Sequence, residues 1–206
     1  ICLANYHPRV NVLQPGCGVG GHCIAVDPWF IAAAAPHCTP LIQSARRVND
    51  GKSDWVINQV QTRAAALEDQ LRRRVRVGCL GLAFKPDVDD LRESPALHIT
   101  TELLVAGLDV LACEPNLHEH STINLHSLEE VLAAADLLVF LVAHSSFKGL
   151  DLNKSELLAI EIECSDIATN SSLGKIINIL EESVYLKSKS KSNNTIKYML
   201  GLSVHF

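Results

Sequence analysis

A glycine-rich stretch at residues 14–30 carries the side chains that are best suited to covalent chemistry. Cys23 supplies a thiol, His22 an imidazole beside it, and Asp27 a carboxylate four residues further along. A thiol close to groups that can take up a proton is typical of a nucleophilic cysteine. Four glycines within residues 16–21 also allow the backbone to approach another group closely. The stretch therefore favours a catalytic thiol at Cys23 over a buried structural cysteine.

The same stretch admits two other interpretations, which its context disfavours. The glycines of residues 16–21 fit a dinucleotide-binding G-x-G-x-x-G pattern, but no acid follows at the usual distance, and Pro28 is expected to interrupt the following helix. A metal site would draw on the His-Cys pairs at 22–23 and 37–38, which lack a regular ligand spacing. No metal is therefore expected.

Composition and charge limit the classes of function that the chain can have. Its 206 residues are 48% hydrophobic, enough for a core, and a net charge of -5 argues against a nucleic-acid partner. Neither a signal peptide nor a long apolar run occurs, so no membrane partner is predicted and a cytoplasmic location is expected. Seven scattered cysteines agree with reduced thiols. Because the chain begins with Ile1, we expect it to be a piece of a longer polypeptide.

Periodicity places the glycine-rich stretch before a helical region and an α/β region. Apolar residues recur at helical spacing up to a predicted break at 49–51, and an amphipathic helix is predicted from Ser53 to Leu71. Further along, short apolar runs alternate with helical patterns, predicting strands at 75–84, 109–113 and 136–142 and helices at 96–106 and 128–135. This order indicates a doubly wound α/β unit with a parallel sheet.

Local signals mark the starts of the two helices in this unit. Ser94 is a suitable N-cap with Pro95 at the first helical position. Ser127 and Glu130 have the spacing of a capping box, in which each side chain satisfies a backbone N–H of the other residue. Both helix starts are therefore predicted from local chemistry alone.

Two cations lie where such a sheet binds its ligands. Parallel sheets of this kind bind ligands outside the carboxyl ends of their strands, which here are residues 84–85, 114–115 and 143–144. Lys85 lies at the first of these ends, and Arg92 follows in the same loop. Contact with a phosphate and plain solvation of the two charges explain the pair equally well, and both interpretations stay open.

Two motifs resemble signatures of one enzyme family. Residues 16–30 match G-x-G-x-G-G-H-C-I-x-x-D-P-W-F, and residues 81–95 match G-L-A-F-K-P-x-x-D-D-x-R-x-S-P. On these motifs the chain resembles the UDP-glucose/GDP-mannose dehydrogenase family, and within it the UDP-N-acetyl-D-mannosamine dehydrogenase branch. The resemblance runs from Ile1 to Leu158.

The resemblance implies three parts along the chain. Residues 1–74 would be the end of the central dimerisation region, residues 75–158 a Rossmann-like UDP-sugar-binding domain, and residues 159–206 a divergent, weakly ordered tail. The predicted fold class is therefore α/β, with a helical central-domain remnant followed by a doubly wound parallel sheet. A homodimer through the central helices is implied as well.

The resemblance also implies a reaction and residues for it. Members of the family oxidise the C6 alcohol of a nucleotide sugar to a carboxylate in two NAD-dependent steps. Cys23 would be the nucleophile, forming a thiohemiacetal and then a thioester, and Asp27 would direct water for hydrolysis. Arg92 would contact NAD. The UDP-sugar substrate would be bound by His7, Arg9, Gly20, Phe84 and Lys85, with Arg9 reaching into a neighbouring subunit's site. The expected function is that of a UDP-N-acetyl-D-mannosamine 6-dehydrogenase of polysaccharide biosynthesis.

Departures from the family pattern modify this expectation. The N-terminal NAD domain and a lysine of the central helix are not seen, Cys17 stands at a loop position usually filled by proline, and no closing strand is recognised after Leu158. We therefore expect the chain alone to be inactive. Two alternatives stay open, namely specificity of the UDP-glucose 6-dehydrogenase type and a nucleotide-sugar binding module without redox activity.

Overall fold

The computed structural model describes residues 16–148, residue 150 and the strand Glu156–Ala159. Its helical part consists of α1 (Asp27–Ala34), one 3-10 turn (Pro36–Cys38) and the long helix α2 (Pro40–Leu71). The helix predicted before Pro8 and the tail from residue 160 onward lie outside the described residues.

Helix α1 begins directly after the nucleophile loop, which we define as residues 16–26. Pro28 lies in the first turn of α1, next to Asp27. Proline is tolerated in a first turn because its missing N–H would have no intrahelical partner there, and its fixed φ suits a helix. The expectation that Pro28 interrupts the helix was therefore wrong.

Helix α2 is a single helix of 32 residues, so the predicted break at 49–51 was also wrong. It packs on α3 (Pro95–Val105), and it buries residues at spacings of three and four, namely Ser53, Val56, Val60 and Ala64. Burial of such a stripe outweighs the low helix propensity of the Asn-Asp-Gly sequence. The helix ends at Arg72, whose left-handed φ of 56° stops the helical hydrogen-bond pattern.

Four parallel strands form one sheet in the order β2-β1-β3-β4. The strands are β1 (Arg76–Leu80), β2 (Asp109–Cys113), β3 (Leu137–Phe140) and β4 (Glu156–Ala159); α3 connects β1 to β2, and α4 (Leu128–Ala134) connects β2 to β3. The chain runs outward from β1 to β2 and then returns to the other edge of β1. This arrangement is the doubly wound parallel sheet, so the predicted fold class is confirmed.

Both predicted helix starts are confirmed by their hydrogen bonds. The Ser94 hydroxyl accepts the Leu97 N–H at 3.3 Å at the start of α3, where Pro95 is the first helical residue. At the start of α4, the Glu130 N–H donates to the Ser127 hydroxyl at 3.2 Å, and the Ser127 N–H donates to the Glu130 carboxylate at 2.9 Å. These reciprocal bonds form the capping box.

Strand β4 was not recognised from the sequence. It pairs in parallel with β3, from Leu137 opposite Glu156 to Phe140 opposite Ala159. The strand is four residues long and follows the polar run Asn153-Lys154-Ser155, so neither alternation nor a long apolar run marks it. It also crosses residue 158, where the predicted UDP-sugar-binding domain ends; the three domain boundaries themselves stay a prediction.

The sheet is covered on both faces by apolar side chains. On one face, Val77 and Cys79 of β1 pack with residues of α2 and α3, including Val60, Ile99 and Leu103. On the other face, which α4 covers, a second cluster contains Leu80, Val131, Leu138, Phe140 and Phe147. Because α2 shares the first cluster, the helical part is fixed to the sheet and places the nucleophile loop relative to it.

The continuity of α2 predicts that Gly51→Ala stabilises the protein. No atom lies within 4 Å of the position that a Cβ would take at Gly51, and alanine is favoured over glycine in a helix interior. The free energy of unfolding, measured by urea denaturation, should rise by about 0.5–1 kcal/mol.

Gly107→Ala is the matched control for this measurement. Gly107 has equally open surroundings but a φ of +84°, so alanine there should destabilise the protein. A loss of stability in Gly51→Ala as well would contradict the continuous helix.

Candidate functional site

The nucleophile loop presents Cys23 to solvent immediately before α1. The Cys23 carbonyl accepts the N–H groups of Val26, at 3.0 Å, and Asp27, at 2.8 Å. These bonds form a turn that leads into the helix, so Cys23 and Asp27 lie one helical turn apart, and both are exposed. The residues predicted as nucleophile and as water-directing base therefore share one compact segment.

Exposure separates Cys23 from most of the other thiols. Among the described cysteines, only Cys23 and Cys38 are exposed, whereas Cys17, Cys79 and Cys113 are buried. Burial raises the pKa of Cys79 to about 12, and burial with the nearby Glu114 carboxylate raises the pKa of Cys113 to about 11. A thiol with such a pKa stays protonated near neutral pH and is a poor nucleophile.

Cys17 occupies the loop position at which the resemblance to the family predicts proline. Its thiol donates to the Leu141 carbonyl at 3.4 Å, just after β3, and its own carbonyl accepts the Ser53 hydroxyl at 3.4 Å. The side chain is buried in the cluster between the sheet and the helices. The departure from proline is therefore accommodated by packing and by bonds that join the loop to α2 and to β3.

Two glycines of the nucleophile loop lie against the loop that follows β1. A Cβ at Gly20 would stand 2.2 Å from the Glu93 carbonyl oxygen, and a Cβ at Gly21 would stand 3.0 Å from the Phe84 ring. The Gly21 N–H donates to the Arg92 carbonyl at 3.1 Å. The structure therefore directs the open side of Gly20 at Glu93, whereas the predicted contact of Gly20 with a sugar stays a prediction.

Arg92 is held beside the nucleophile loop by a carboxylate. Its guanidinium donates to Asp90 through Nη2, at 2.6 Å, and through Nε, at 3.0 and 3.1 Å. These bonds lower the pKa of Asp90 to about 2, with a smaller contribution from the charge of His22. The pKa of Arg92 is raised, mainly by Asp90 and slightly by the charge of Cys23. The backbone of the predicted NAD-contacting residue is also bonded to Gly21, two residues before Cys23.

Phe84 and Lys85 lie in the loop after β1, close to the nucleophile loop. The Phe84 ring covers Gly21, and the Lys85 Nζ lies 5.3 Å from the centroid of that ring. Phe84 is half-buried, whereas Lys85 is exposed. Because the Lys85 ammonium group stays exposed beside the ring, its N–H donors can bind a ligand.

Four successive backbone N–H groups after β1 donate to acceptors within the protein. The Gly81 N–H donates to the Cys113 carbonyl at 2.9 Å, and the Phe84 N–H donates to the Asp90 carbonyl at 3.1 Å. Between them, the Leu82 and Ala83 N–H groups donate to one Glu114 carboxylate oxygen at 2.7 and 3.0 Å. In a dinucleotide-binding fold, amides at this turn face the pyrophosphate. Here these four amides are already paired.

A buried carboxylate–imidazole pair holds both ends of the Phe84–Lys85 segment. His144 Nε2 lies 3.1 Å from Glu114, which accepts the Leu82 and Ala83 amides, and both side chains are fully buried. On the far side, the Asp87 N–H donates to His144 Nδ1 at 2.9 Å. Because Nδ1 accepts, Nε2 carries the proton and donates it to Glu114.

The pKa of Glu114 reflects two opposing effects. Burial would raise it, but the hydrogen bond from His144 and those from the backbone N–H groups of Leu82 and Asn116 outweigh burial. The net pKa lies below its ordinary value, so this carboxylate is charged at neutral pH. Sequence reasoning marked 114–115 and 143–144 as strand ends but did not identify Glu114 and His144 as partners.

The remaining site predictions have different outcomes. His7 and Arg9 lie outside the described residues, so their predicted contacts with the substrate stay predictions.

A cavity of about 370 Å³ opens at the end of β2, where His118, His126, Ser127 and Ser146 line it. Within residues 16–148, no group of three His, Cys, Asp or Glu side chains is arranged to hold a metal ion. No helix in the described part of the chain is long and apolar enough to cross a membrane.

Sequence comparison tests the resemblance of the two motifs. A family model described as the UDP-glucose/GDP-mannose dehydrogenase family, UDP binding domain, matches residues 78–161. The model of the central domain of the same family matches residues 1–51. The chain belongs to this family. The resemblance inferred from the nucleophile loop and the loop after β1 is thereby confirmed.

Relatives of the chain are named for two different nucleotide sugars. The UDP-N-acetyl-D-mannosamine dehydrogenase of Escherichia coli (strain K12) is 52% identical over 161 residues, which are 73% of this chain and 38% of that protein. The NDP-N-acetyl-D-galactosaminuronic acid dehydrogenase of Ralstonia solanacearum is 45% identical over 159 residues, 75% of this chain and 36% of that protein. The chain thus spans less than two fifths of the length of these relatives.

Solved structures agree with the fold. The UDP-D-ManNAc dehydrogenase of Pyrococcus horikoshii superimposes with a TM-score of 0.65 at 30% identity, over 85% of this chain and 42% of that one. The UDP-N-acetyl-mannosamine dehydrogenase Cap5O of Staphylococcus aureus gives a TM-score of 0.58 at 35% identity, over 79% of this chain and 37% of that one. Both comparisons support the α/β architecture of this family member.

The buried pair predicts that Glu114→Gln destabilises the protein. Glutamine presents an N–H₂ group where the second carboxylate oxygen now accepts from Asn116, and it weakens the charged bond to His144. The free energy of unfolding at pH 7, from urea denaturation, should fall by about 1.5–3 kcal/mol. Glu119→Gln, the same change at an exposed position in the loop after β2, should leave it nearly unchanged.

The difference in the free energy of unfolding between Glu114→Gln and the unmutated protein should depend on pH. A carboxylate with a lowered folded-state pKa stabilises the protein above its unfolded-state pKa, about 4.3 for glutamate, and loses this contribution as the pH falls through the folded-state pKa. The difference should therefore narrow in acid. A constant difference from pH 7 to pH 3 would rule out this role of the charge.

Proposed function

We propose that this chain supplies the nucleophile and the UDP-sugar-binding part of an NAD-dependent dehydrogenase that oxidises UDP-N-acetyl-D-mannosamine to the uronate. The observation that carries the proposal is the contact between the two family motifs. The Gly21 N–H is bonded to the Arg92 carbonyl, and Gly21 lies under the Phe84 ring. A ligand held at Phe84 and Lys85 would therefore lie next to the loop that carries Cys23.

The proposed reaction uses Cys23 as a covalent nucleophile. The C6 alcohol first loses a hydride and a proton, which gives an aldehyde. The Cys23 thiolate adds to the aldehyde carbon, and the oxygen takes up a proton, which gives a thiohemiacetal. Loss of a second hydride and of that proton leaves a thioester. NAD, when bound, accepts the hydride in each oxidation.

Hydrolysis of the thioester is assigned to water and Asp27. Water adds to the thioester carbonyl while the Asp27 carboxylate takes up one of its protons, and the C–S bond then breaks to release the uronate and the thiol. The position of Asp27, one helical turn after Cys23, supports this role. Its exposure supports access of water to the same side of the loop.

The described residues fit NAD through Arg92 and not through a loop of free amides. The amides of Gly81 to Phe84 are bonded internally, and Gly20 faces the Glu93 carbonyl. Arg92 has an exposed guanidinium, 61% of its side chain being accessible, and its carbonyl accepts the Gly21 N–H of the loop that carries Cys23. Arg92 would therefore contact the cofactor from the side of the nucleotide-sugar domain, and most contacts with NAD are expected outside residues 16–148.

UDP-N-acetyl-D-mannosamine is the substrate best supported by the relatives. Proteins named for this sugar are 48–52% identical to the chain, and a protein named for an N-acetylgalactosaminuronic acid sugar is 45% identical. Specificity of the UDP-glucose 6-dehydrogenase type is the first alternative. A nucleotide-sugar binding module without redox activity is the second, and the internally bonded amides after β1 favour it over a self-sufficient dehydrogenase.

An exposed apolar surface supports a homodimer through the central helices. On α1, Phe30 is 70% exposed and Ile31 is 54% exposed. On α2, Leu41 and Val48 are 58% and 61% exposed. Large exposed apolar side chains are typical of surfaces that another protein covers, and a second copy of the central helices is the proposed partner here.

The role of Lys85 predicts that Lys85→Ala weakens binding of UDP. Loss of a charge-assisted hydrogen bond to a phosphate costs about 1.5–3 kcal/mol, which is about a 10- to 100-fold increase in Kd. Isothermal titration of the purified chain with UDP measures this change. Lys148→Ala is the matched control, because Lys148 is exposed and also follows a strand end of the sheet. Equal losses in both variants would indicate a general charge effect and not a site at Lys85.

The proposed function predicts dehydrogenase activity that requires both a complete NAD site and the Cys23 thiol. With UDP-N-acetyl-D-mannosamine and NAD, NADH absorbance should rise for the chain joined to a family N-terminal domain but not for the chain alone. Cys23→Ala should abolish formation of the uronate in the joined form, since no thioester can form. Cys38→Ala, at the other exposed thiol, should retain activity. UDP binding without activity in a folded joined form would favour the binding module.

A further inference from the structure

The side chain of Asn49 on α2 pairs with both backbone polar groups of Val19 in the nucleophile loop. Its Oδ1 accepts the Val19 N–H at 2.8 Å, and its Nδ2 donates to the Val19 carbonyl at 3.3 Å. The two residues are 30 positions apart in the sequence, and both bonds are partly buried. A primary amide that binds the N–H and the carbonyl of one residue fixes the position and the rotation of that residue together.

Val19 lies where the loop most needs such a restraint. Gly18 precedes it with a φ of +142°, and Gly20 and Gly21 follow it, the latter with a φ of +91°. Glycines on both sides give the backbone wide conformational freedom, which must be removed before Cys23 can occupy a single position. Val19 is the one residue between Gly18 and Gly20, and it carries both hydrogen bonds to Asn49.

The restraint from Asn49 complements the contacts on the opposite side of the loop. There, the Gly21 N–H donates to the Arg92 carbonyl, and Gly20 faces Glu93. The segment from Val19 to Gly21 is therefore held between α2 and the loop after β1. Cys23 follows this segment by two residues. Its side chain is exposed, so packing of that side chain does not fix its position.

We propose that Asn49 is a positioning residue for the Cys23 nucleophile, acting through its two hydrogen bonds to Val19. The catalytic consequence rests on the proposed function, whereas the restraint of the loop does not. The proposed substrate contacts of Phe84 and Lys85 lie on the loop after β1, and Gly20, the proposed contact beside Val19, faces the Glu93 carbonyl. The effect of Asn49 should therefore fall on the covalent steps more than on binding of the UDP-sugar. Misplacement of a reacting group by about 1 Å can cost about 100-fold in rate.

The restraint is tested by hydrogen exchange on the purified chain, with Asn49→Ala and Asn58→Ala compared with the unmutated protein. Asn58 is an exposed asparagine on the same helix, so its variant is the matched control. In Asn49→Ala, exchange of the Val19 N–H and its peptide should accelerate by about tenfold, because its acceptor is lost. Unchanged exchange at Val19 would overturn the inference.

The catalytic consequence is tested on the joined form described above. Asn49→Ala should lower kcat by about 10- to 100-fold while KM for the UDP-sugar changes by less than about twofold. A raised KM with unchanged kcat would overturn the positioning role, since it would place Asn49 in substrate binding. If the unmutated joined form is inactive but exchange at Val19 responds to Asn49→Ala, then the proposed function fails and the restraint stands.

Asn49→Asp serves if Asn49→Ala does not fold. The aspartate keeps an oxygen that accepts the Val19 N–H and loses the N–H that donates to the Val19 carbonyl. The oxygen that replaces Nδ2 would face the Val19 carbonyl and the Asp50 carboxylate, which repel it, so the effects on exchange and on kcat should have the same direction as those of Asn49→Ala. A folded Asn49→Asp variant would also contradict the proposal if its exchange at Val19 and its kcat equalled those of the unmutated protein.

Discussion

The close approach of Gly20 to the Glu93 carbonyl is the constraint on which the site depends. A Cβ at this position would stand 2.2 Å from the carbonyl oxygen, so any side chain would separate the nucleophile loop from the loop after β1. The Gly21–Arg92 backbone bond and the packing of Gly21 on Phe84 both require the same approach. One missing side chain thereby lets a loop of the central region and a loop of the nucleotide-sugar domain form one surface.

Each of the two loops is supported by a distant part of the fold. The nucleophile loop is bonded to α2 through Asn49 and to the end of β3 through Cys17. The loop after β1 is held by Glu114 and His144, which come from the ends of β2 and β3. Positions of the exposed groups Cys23 and Lys85 therefore depend on buried polar bonds, and a defect in either support should be felt at a surface that it does not touch.

Local chemistry explains which parts of the fold could be predicted from sequence. The N-cap at Ser94 and the capping box at Ser127 involve residues three positions apart, so their spacing is visible in the chain. The break predicted at 49–51 was wrong because Asn-Asp-Gly is a stop signal by propensity alone, whereas packing of α2 on α3 carries the helix through it.

The candidate site shows the same division between local and distant information. Cys23, Asp27, Lys85 and Arg92 could be predicted as site residues because two compact motifs contain them. Glu114 and His144 are 30 residues apart, and only the sheet brings them together. The strand-end rule located both positions without indicating that they would bond to each other and to the loop after β1.

The internally bonded amides after β1 have a consequence for the entropy of binding. Four successive N–H groups, from Gly81 to Phe84, donate to acceptors within the protein. Bonds within the protein therefore define the shape of this loop, and a ligand would not need to supply the free energy to order it. For the proposed contact at Lys85, affinity would then come from the contacts themselves, and association would resemble the docking of two preformed surfaces more than coupled folding and binding.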